Sequence, residues 1–439
     1  MNKPAHLAGQ IDLLMTDANG VPRGKTIASA SFDDKDLPRM AEAVLFQCIN
    51  GDYTEPAMET FNPKDEDLIM KPDWATYRPT PWKQGEVGQV ICQALDKNGK
   101  ALPYDSRNVL TGIISRFEER GLTPIVAPEL EFYLLDPPKR GDVSLRSGSG
   151  YDGRDEFGGE AFSFDALDRY GPFVTSLQAM CVEANIELGA VIHEVGPAQL
   201  ELNVDHAPVL AIADQMFLLK RLVKACALEQ GYLASFMAKP AFSLPGSGLH
   251  VHCSLLDAQG VNLFTLENQQ APEPLQHFIG GLQRYLPDAF SLLAPNVNSY
   301  KRFIGDRSAP INLEWGYDNR STGLRVPYGP ADAGRVETRV AGADANPYLL
   351  LAAILAAGLL GMEETLQPTA ANEEDAWDTT TGLPDSLGEG LRRLKASKKL
   401  AELFSQEFVD VYLSIKGTEL EDFSSRISSW EVNYLGSML

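Results

Sequence analysis

The chain has 439 residues, a length that predicts two or three domains or one large one. Its composition, 44% hydrophobic and 22% charged, is typical of a folded protein and excludes a disordered chain. Its formal net charge at pH 7 is −22, which argues against general binding to nucleic acids or anionic membranes, because both require a basic surface. We therefore expect neither nucleic acid nor a membrane as a partner.

The first hundred residues predict a small unit of strands and helices. Apolar residues flank a turn at Asp17–Gly20, which is typical of a hairpin. Pro103 and Asp105 precede a helical pattern, so we place a boundary there, with domains 1–103 and 104–439. The predicted elements are strand–turn–strand over 8–32, an amphipathic helix over 35–50, a strand over 88–95 and a helix over 106–120.

The remainder of the chain alternates strand and helix patterns. A stretch rich in glycine, serine and aspartate, 141–159, predicts a mobile loop that could cover an active site. Strands are predicted over 124–135, 187–194, 199–204, 249–256 and 335–340. Helices are predicted over 168–185, 208–230, 274–293, 346–366, 388–404 and 405–416.

The cysteines and apolar runs indicate a cellular compartment. Five scattered cysteines without a C-x-x-C pair argue against a disulfide framework or a cysteine zinc site and favour a reducing environment. The first ten residues lack the apolar stretch of a secretion signal. The longest apolar run, Leu349–Leu360, is shorter than the roughly 18 residues of a membrane span. We therefore expect a cytoplasmic protein.

Two carboxylates alternate within one predicted strand. Glu129 and Glu131 are two residues apart, so they share a face of that strand. Like charges about 4 Å apart repel by roughly 4 kcal/mol at an effective dielectric constant near 20. Either a cation offsets this repulsion or one carboxylate is protonated, unless both lie on a solvated strand edge.

Two further clusters carry potential ligands. Glu194 and Glu201 are seven residues apart and would face opposite sides of a regular strand, but Gly196–Pro197 can form a turn that reunites them. His250 and His252 alternate on one strand and could serve a metal or a phosphate. The alternatives are exposed glutamates at a turn and a pair of hydrogen-bonded core histidines.

Arginines concentrate in one part of this acidic chain. Arg335, Glu337 and Arg339 share a strand face, and arginines are frequent between residues 302 and 339, among them Arg302, Arg320, Arg325, Arg335 and Arg339. Guanidinium groups match carboxylate and phosphate geometry, although a surface network of ion pairs is an alternative. Glutamate and histidine ligands beside arginines indicate phosphoryl transfer with Mg²⁺ or Mn²⁺ rather than zinc chemistry.

These motifs, taken in order, resemble the glutamine synthetase family along nearly the whole chain. The resemblance implies an α+β protein with an N-terminal β-grasp domain and a C-terminal catalytic domain, in which helices flank a curved antiparallel sheet. It also implies stacked hexameric rings (a dodecamer) with active sites shared between neighbouring subunits. The matching blocks are Pro128–Phe132, Glu194–Glu201, Gly246–His252, Asn298–Arg302, Asn319–Arg325 and Arg335–Arg339 with Ala345–Tyr348.

The resemblance implies roles for individual residues around two or more Mg²⁺ or Mn²⁺ ions. One metal would be held by Glu131, Glu194 and Glu201, and another by Glu129, His250 and Glu337. Glutamate would be bound by Gly246, Arg302 and Arg339, with Trp315 on the substrate side. ATP would be bound by His252, Ser254, Arg320, Arg325 and Arg335, with Arg320 and Arg339 also catalytic.

Departures from the family pattern concern the nucleophile. Where ammonia-using members carry a glutamate that closes over the substrate, this chain has Ser308, and only Asp52 loosely replaces a second carboxylate in the N-terminal domain. Ammonium requires close anionic coordination, so these losses indicate a larger amine. The pattern is similar to that of the γ-glutamylpolyamine synthetases, including those that act on putrescine.

The leading hypothesis is an ATP-dependent ligase that joins the γ-carboxylate of glutamate to putrescine, another polyamine or an alkylamine through a γ-glutamyl phosphate. Its partners would be glutamate, ATP, a small amine and further copies of the chain. One alternative is a divergent glutamine synthetase that uses ammonia. Another is a non-catalytic, ring-forming relative, although all six candidate metal ligands are present.

Overall fold

In the computed structural model, which describes residues 3–4, 6–138, 145–304, 309–380 and 382–438, two separate sheets are flanked by helices. This confirms the predicted α+β class. The strands are β1 Gln10–Thr16, β2 Pro22–Ala28, β3 Arg39–Ala41, β4 Asp67–Pro72, β5 Arg78–Pro79, β6 Val87–Leu95, β7 Thr123–Leu135, β8 Val191–His193, β9 Gln199–Asn203, β10 Ala207–Pro208, β11 Leu233–Ser235, β12 Leu249–Leu256, β13 Trp315–Tyr317, β14 Leu324–Val326 and β15 Val336–Thr338.

The helices lie mostly in the second half of the chain. They are α1 Glu55–Phe61, α2 Ser106–Glu118, α3 Phe164–Asp168, α4 Gly171–Glu183, α5 Val209–Glu229, α6 Glu273–Leu293, α7 Val297–Tyr300, α8 Pro347–Glu363, α9 Leu387–Ala396, α10 Lys398–Phe404, α11 Gln406–Ser425 and α12 Gly436–Met438. Shorter 3₁₀ turns include Glu42–Phe46 and Lys301–Phe303. None of the helices in the described ranges combines the length and apolar character needed to cross a membrane.

The first sheet contains the predicted hairpin. Its strand order is β2-β1-β6-β4-β3, and β5 pairs with β6. β1 runs parallel to β6 and antiparallel to β2. At the turn between β1 and β2, Asp17 Oδ1 accepts hydrogen bonds from the backbone N–H groups of Asn19 and Val21, both at 2.9 Å. The prediction over 8–32 is therefore confirmed.

The helix predicted over 35–50 is wrong. Residues 39–41 form β3, which pairs antiparallel with β4, and residues 42–46 form a 3₁₀ turn. The backbone of this segment forms hydrogen bonds with β4 instead of the internal hydrogen bonds of a helix. One of them runs from Met70 N–H to the Pro38 carbonyl, at 2.8 Å. The apolar residues that suggested a helix still reach the core, since Leu45, Phe46 and Cys48 are all buried.

The second sheet is built around the thirteen-residue strand β7. Its order is β13-β14-β15-β12-β7-β9-β8, with β10 and β11 also pairing with β7. Predicted strands over 124–135, 199–204, 249–256 and 335–340 are confirmed, whereas the strand predicted over 187–194 shortens to β8. The pairs are antiparallel except that β13 runs parallel to β14, so the sheet is not wholly antiparallel as expected.

The other predicted helices are confirmed, with two changes at the C-terminal end. The pattern over 388–404 is divided at Ser397 into α9 and α10, and the next helix, α11, continues to Ser425 rather than ending at 416. The helix predicted over 168–185 appears as α4, preceded by the short α3. The domain boundary placed at residue 103 stays a prediction.

The predicted loop over 141–159 is only partly described. Residues 141–144 lie outside the described residues. From residue 145 onwards the segment is attached to the second sheet, because Gly148 N–H donates to the Leu134 carbonyl at 2.8 Å and the Tyr232 hydroxyl donates to the Ser149 carbonyl at 2.7 Å.

Candidate active site

Strand register brings the predicted residues to one face of the second sheet. On paired strands, residues directly opposite each other point to the same face. Glu131 lies opposite Glu201 on β9, and Glu129 lies opposite His250 on β12. The register continues across the sheet, where His252 on β12 lies opposite Glu337 on β15, which in turn lies opposite Arg325 on β14.

A turn between β8 and β9 adds Glu194 to this face. Glu194 N–H donates to the Gln199 carbonyl at 2.8 Å, so Glu194 lies opposite Gln199, two residues before Glu201. Gly196 N–H donates to Gln199 Oε1 at 2.9 Å and closes the turn. Within the turn, Ala198 has a φ of +59°, a left-handed conformation that is uncommon for a residue other than glycine. The turn predicted at Gly196–Pro197 thus exists.

Glu129 is paired with two histidines. Its Oε2 is 3.2 Å from His250 Nδ1, and its Oε1 is 3.0 Å from His252 Nε2. Burial raises the pKa of Glu129, but the contacts with these imidazoles outweigh burial and hold the pKa well below its usual range. Glu129 is therefore ionised at neutral pH.

Glu194 and Glu201 show the opposite behaviour. Burial, followed by repulsion from Glu131, raises the pKa of Glu194 to about 7. Burial and repulsion from Glu129 and the other site carboxylates raise the pKa of Glu201 to about 9. This part of the site carries more negative charge than its protein surroundings can stabilise, so it would favour a bound cation.

Two arginines neutralise Glu337. Arg325 Nη1 donates to Glu337 Oε2 at 2.8 Å, and Arg339 Nη1 donates to Glu337 Oε1. Burial raises the pKa of Glu337, but the positive charge of Arg339 and of the nearby histidines lowers it to about 2. The site therefore has a charge-balanced end at Glu337 and a carboxylate-rich end at Glu194 and Glu201.

Gly248 N–H and the Gln199 amide hold Glu131 in place. They donate to Glu131 Oε2 at 2.8 and 3.2 Å, and Gln199 Nε2 also lies 3.1 Å from the Gly246 carbonyl. Asn203 Nδ2 similarly donates to Glu201 at 3.0 Å. Gln199 and Asn203 were missing from the predicted site residues, although their alternation with Glu201 on β9 was the signal that could have found them.

Two glycines make room for Arg302. The Arg302 side chain is 1% exposed, and its Nη2 lies 3.4 Å from the Arg339 carbonyl. A Cβ on Gly246 would lie 2.6 Å from Arg302 Cγ, and a Cβ on Gly248 would lie 2.7 Å from Arg302 Nη2. A side chain at either glycine would displace Arg302, whose guanidinium group lies beside the carboxylate cluster.

The side chains fit a divalent cation. Two groups, Glu129 with Glu201 and His250, and Glu129 with His252 and Glu337, each bring one ligand atom per residue within 4.8 Å of the others. His250 Nε2 is buried and lacks a hydrogen-bond partner among the described residues. Oxygen-rich sets with one imidazole suit Mg²⁺ or Mn²⁺. These groupings differ from the predicted ligand sets, which stay predictions.

A cavity of about 690 Å³ opens beside Glu129 and His252. Ser254 and Arg335, both predicted to bind ATP, also line it, together with apolar residues such as Ile125 and Leu256. Arg335 Nε donates to His252 Nδ1 at 3.3 Å. The cavity thus combines charged side chains, among them Glu129, His252 and Arg335, with apolar lining residues, an arrangement that suits a phosphate-bearing ligand with a hydrophobic part.

Some predicted residues lie away from this face. Trp315 pairs with Leu324, which points away from the face that carries Arg325. The Trp315 side chain is buried there, and its indole N–H donates to the Thr369 carbonyl at 2.7 Å. The structure therefore does not bring Trp315 to the site. The sequence pattern could not predict this, because the neighbouring strand determines which side chains of the three-residue strand β13 point to the site.

Arg320, Asp52 and Ser308 were also named from the sequence as residues of the site or of its nucleophile pocket. Arg320 is exposed in the turn between β13 and β14, and Asp52 is exposed in a turn of the N-terminal part, with its Oδ2 accepting a hydrogen bond from Asn50 Nδ2 at 2.8 Å. Ser308 lies outside the described residues.

Comparisons with known proteins agree with this geometry. The family profile described as glutamine synthetase, catalytic domain, matches residues 103–435. A γ-glutamylputrescine synthetase of Escherichia coli (strain K12) is 33% identical over 435 residues, covering 97% of this chain and 91% of the relative. A glutamate–isopropylamine ligase of a Pseudomonas species is 31% identical over 445 residues, covering 97% of this chain and 95% of the relative. A solved structure of GmaS without ligand superposes with a TM-score of 0.86 at 27% identity, and the superposition covers 98% of this chain and 97% of the GmaS chain.

Proposed function

The chain belongs to the glutamine synthetase family, and on that premise we propose that it is an ATP-dependent ligase joining the γ-carboxylate of glutamate to a primary amine such as putrescine, another polyamine or an alkylamine. The reaction would proceed through a γ-glutamyl phosphate. The observation that carries the proposal is the single sheet face on which Glu129, Glu201, His250 and Glu337 lie together beside a cavity.

The carboxylate cluster would hold Mg²⁺ or Mn²⁺. We assign Glu131, Glu194 and Glu201 to one ion and Glu129, His250 and Glu337 to another. Such ions, when bound, neutralise the charge of nucleotide phosphates and polarise the phosphoryl group. The orphaned Nε2 of His250 and the raised pKa values of Glu194 and Glu201 support this assignment.

The arginines and the cavity would orient the two other reactants. Arg302, with Gly246, and Arg339 would bind the carboxylates of glutamate, because buried guanidinium groups bind carboxylates in a bidentate manner. His252, Ser254 and Arg335 line the cavity proposed for ATP, and Arg325 lies next to them on the same sheet face. Arg320 would stabilise developing phosphate charge together with Arg339.

A larger amine than ammonia is favoured by two observations. Ser308 stands where ammonia-using members carry a closing glutamate, so this position does not supply a carboxylate for ammonium. Two of the relatives are named for amines, putrescine and isopropylamine. We infer an alkyl- or polyamine acceptor, with Asp52 of the N-terminal part as a candidate anion for the amine.

An amine panel tests the function. Purified protein with glutamate, ATP and Mg²⁺ is expected to release ADP with at least one diamine or alkylamine, and mass spectrometry should detect the γ-glutamyl amide. Reactions without glutamate or with Ca²⁺ in place of Mg²⁺ serve as controls. Efficient turnover with ammonia and none with organic amines would contradict the amine assignment, and absence of turnover with every nucleophile would contradict the ligase.

Ser308→Glu tests which residue selects the nucleophile. A carboxylate at this position would stabilise ammonium, so the ratio of kcat/KM for ammonia to that for the preferred amine is expected to rise by about 10-fold or more, equivalent to about 1.4 kcal/mol. Ser308→Gln has a similar volume without the charge and should leave the ratio near the wild-type value. Equal ratios in the two variants would show that charge at this position does not select the nucleophile.

Membership of the family also supports two proposals, one on the fold of the N-terminal part and one on the oligomeric state. We propose that the first sheet belongs to a β-grasp domain and that the chain forms stacked hexameric rings in which neighbouring subunits complete each active site. Native mass spectrometry should then give the mass of twelve chains, and a monomer at working concentration would contradict the proposal.

A further inference from the structure

A buried glutamate outside the proposed ligand set lies beneath the turn between β8 and β9. Glu156 is 7% exposed, although it belongs to the glycine-rich segment that precedes α3. Its Oε2 accepts a hydrogen bond from Ala198 N–H at 2.9 Å and another from the Tyr170 hydroxyl at 3.2 Å. The carboxylate is thus tied to the residue of the turn that has a left-handed backbone, Ala198.

The same oxygen contacts a histidine that touches Glu194. His193 is 1% exposed, and its Nε2 is 3.1 Å from Glu156 Oε2. Its Nδ1 is 2.9 Å from the carbonyl oxygen of Glu194, and its ring stacks on Tyr170 with centroids 6.1 Å apart. A continuous chain of contacts therefore leads from Glu156 through His193 to the backbone of Glu194.

Backbone hydrogen bonds attach the segment around Glu156 to the same turn. Phe162 N–H donates to the His193 carbonyl at 2.9 Å, and Gly159 N–H donates to the Val195 carbonyl at 3.3 Å. On the opposite side, Gln199 connects the turn to Glu131 at 3.2 Å. The turn is therefore fixed between the segment that carries Glu156 and the carboxylate cluster.

Packing alone does not explain a carboxylate at this position. Glu156 Oε1 is buried without a hydrogen-bond partner among the described residues, which is unfavourable for a polar atom. An apolar side chain of similar volume would fill the space without that cost. Within the described ranges, the hydrogen-bonding contacts of Oε2 nevertheless go to the turn, to the histidine before Glu194, and to Tyr170, which packs on that histidine.

We propose that Glu156 is a positioning residue, which acts through His193 and the Ala198 N–H to hold Glu194 in the orientation that binds a divalent cation. This inference rests on the proposed function only in taking Glu194 as a metal ligand. Outer groups that orient metal ligands commonly change metal affinity by 10- to 100-fold when they are removed.

Mn²⁺ binding without nucleotide or turnover tests the inference. Isothermal titration calorimetry on the full-length protein should give an Mn²⁺ affinity for Glu156→Ala about 10-fold or more below wild type. Glu156→Gln retains an oxygen that can accept from Ala198 and Tyr170, and its loss should be smaller. The matched control is Glu160→Gln on the same segment, because Glu160 pairs with Arg169 at 3.2 Å rather than with the turn, and it should bind as wild type.

The outcomes separate positioning from general stabilisation. A purely structural role would lower the melting temperature of Glu156→Ala and leave Mn²⁺ affinity within about 2-fold of wild type, which would overturn the proposal. If Glu156→Ala does not fold, Glu156→Gln and Tyr170→Phe provide the same comparison, and wild-type affinity in both would also overturn it. Because no turnover is measured, a wild-type protein that binds Mn²⁺ but ligates no amine would count against the proposed function and not against this inference.

Discussion

The carboxylates of the site differ in how their charge is balanced. Glu129 and Glu337 have lowered pKa values because histidines or arginines contact them, whereas burial raises those of Glu194 and Glu201 to about 7 and about 9. The sequence had offered two ways to relieve repulsion, a cationic neighbour or a protonated carboxylate. Both are found in this cluster, at opposite ends.

Glu129→Ala removes the carboxylate shared by both candidate metal groups. We expect kcat for ADP release to fall by about 100-fold or more, because the loss removes a ligand and leaves His250 and His252 without their anionic partner. Activity should be measured across a Mg²⁺ titration, with circular dichroism to verify folding. Glu118→Ala, an exposed glutamate of α2, is the control. Near-normal activity of Glu129→Ala at saturating Mg²⁺ would remove Glu129 from the site.

Gly248→Ala tests the space around Arg302. The added Cβ would lie 2.7 Å from Arg302 Nη2 and 3.0 Å from His250 Nε2, so both side chains must shift. Displacements of this size commonly reduce catalysis by about 10- to 100-fold, and we expect that loss in kcat/KM for glutamate. Gly112→Ala in α2 has open space around its Cβ and should retain activity. Equal kcat/KM values in the two variants would show that Arg302 does not depend on Gly248.

Strand alternation predicted which candidate site residues share a face wherever the strands are long. Glu129, Glu131, His250 and His252 lie on long strands, so their shared face followed from spacing alone. Trp315 lies on a three-residue strand whose orientation is set by pairing with β14, and no local pattern specifies that partner. Glu156 carried no signal at all, since its contacts are with residues 14 to 42 positions away.

The accuracy with which helices and strands were predicted also depends on the segments that they pair with in the fold. β12 was predicted residue for residue because a central strand has a continuous buried pattern that ends at turn residues. The pattern over 35–50 was equally periodic, but pairing of β3 with β4 overrode local helix preference. Ser397 divides the predicted helix over 388–404 because its own backbone, with φ −86° and ψ +89°, leaves the helical region.

Asp12→Asn tests the attachment of β1 to α5. Asp12 is 3% exposed and accepts hydrogen bonds from Lys83 Nζ and from Arg221 Nη2 of α5, each at 2.6 Å to Oδ2. Burial raises the pKa of Asp12, but these cations and Thr26 together lower it below the ordinary 3.8. Because Lys83 and Arg221 are partly exposed, loss of the charge costs less than in a fully buried pair, and we expect a decrease of about 1–2 kcal/mol in the free energy of urea unfolding at pH 7.

The pH dependence of this loss has a defined sign. A carboxyl group whose pKa is lowered by folding stabilises the protein above its unfolded pKa of about 4, and the contribution disappears as the pH falls through the lower folded value. The difference in stability between wild type and Asp12→Asn should therefore be constant from pH 5 to 7 and shrink below pH 4. Asp36→Asn, an exposed site, should change stability by less than about 0.5 kcal/mol throughout. A difference that grows on acidification would contradict the ion-pair explanation.

Distant parts of the chain meet at α11. Lys416 is fully buried, and its Nζ donates to Asn19 and to Glu419, at 2.8 Å for the latter, while the amide of Asn19 donates to the other Glu419 oxygen at 2.9 Å. Asn346, which caps α8, donates to the Asp17 carbonyl at 3.0 Å. The hairpin turn of the first sheet thus contacts helices that follow the second sheet, so the two sheets are held together by residues hundreds of positions apart.

Past α11 the chain becomes apolar and exposed. Ile427 and Met438 are each 78% exposed and Trp430 is 60% exposed. The ring of Trp430 packs on that of Tyr434 with centroids 5.4 Å apart. Exposed apolar residues clustered in one short segment are characteristic of interaction surfaces. Given the proposed rings, a second copy of the chain is the occupant we expect for the segment 427–438.

Ending the chain at Arg426 tests this segment in the assembly. The shortened chain should fold and give a far-ultraviolet spectrum that differs only by the small contribution of the helical residues 431–438, because the removed side chains are largely exposed. Native mass spectrometry should show smaller assemblies than the full-length protein forms, and Trp430→Ala combined with Tyr434→Ala should weaken the assembly in the same direction. Glu421→Ala, an exposed polar site on α11, is the matched control and should assemble normally. An unchanged mass for the shortened chain would show that other surfaces hold the subunits together.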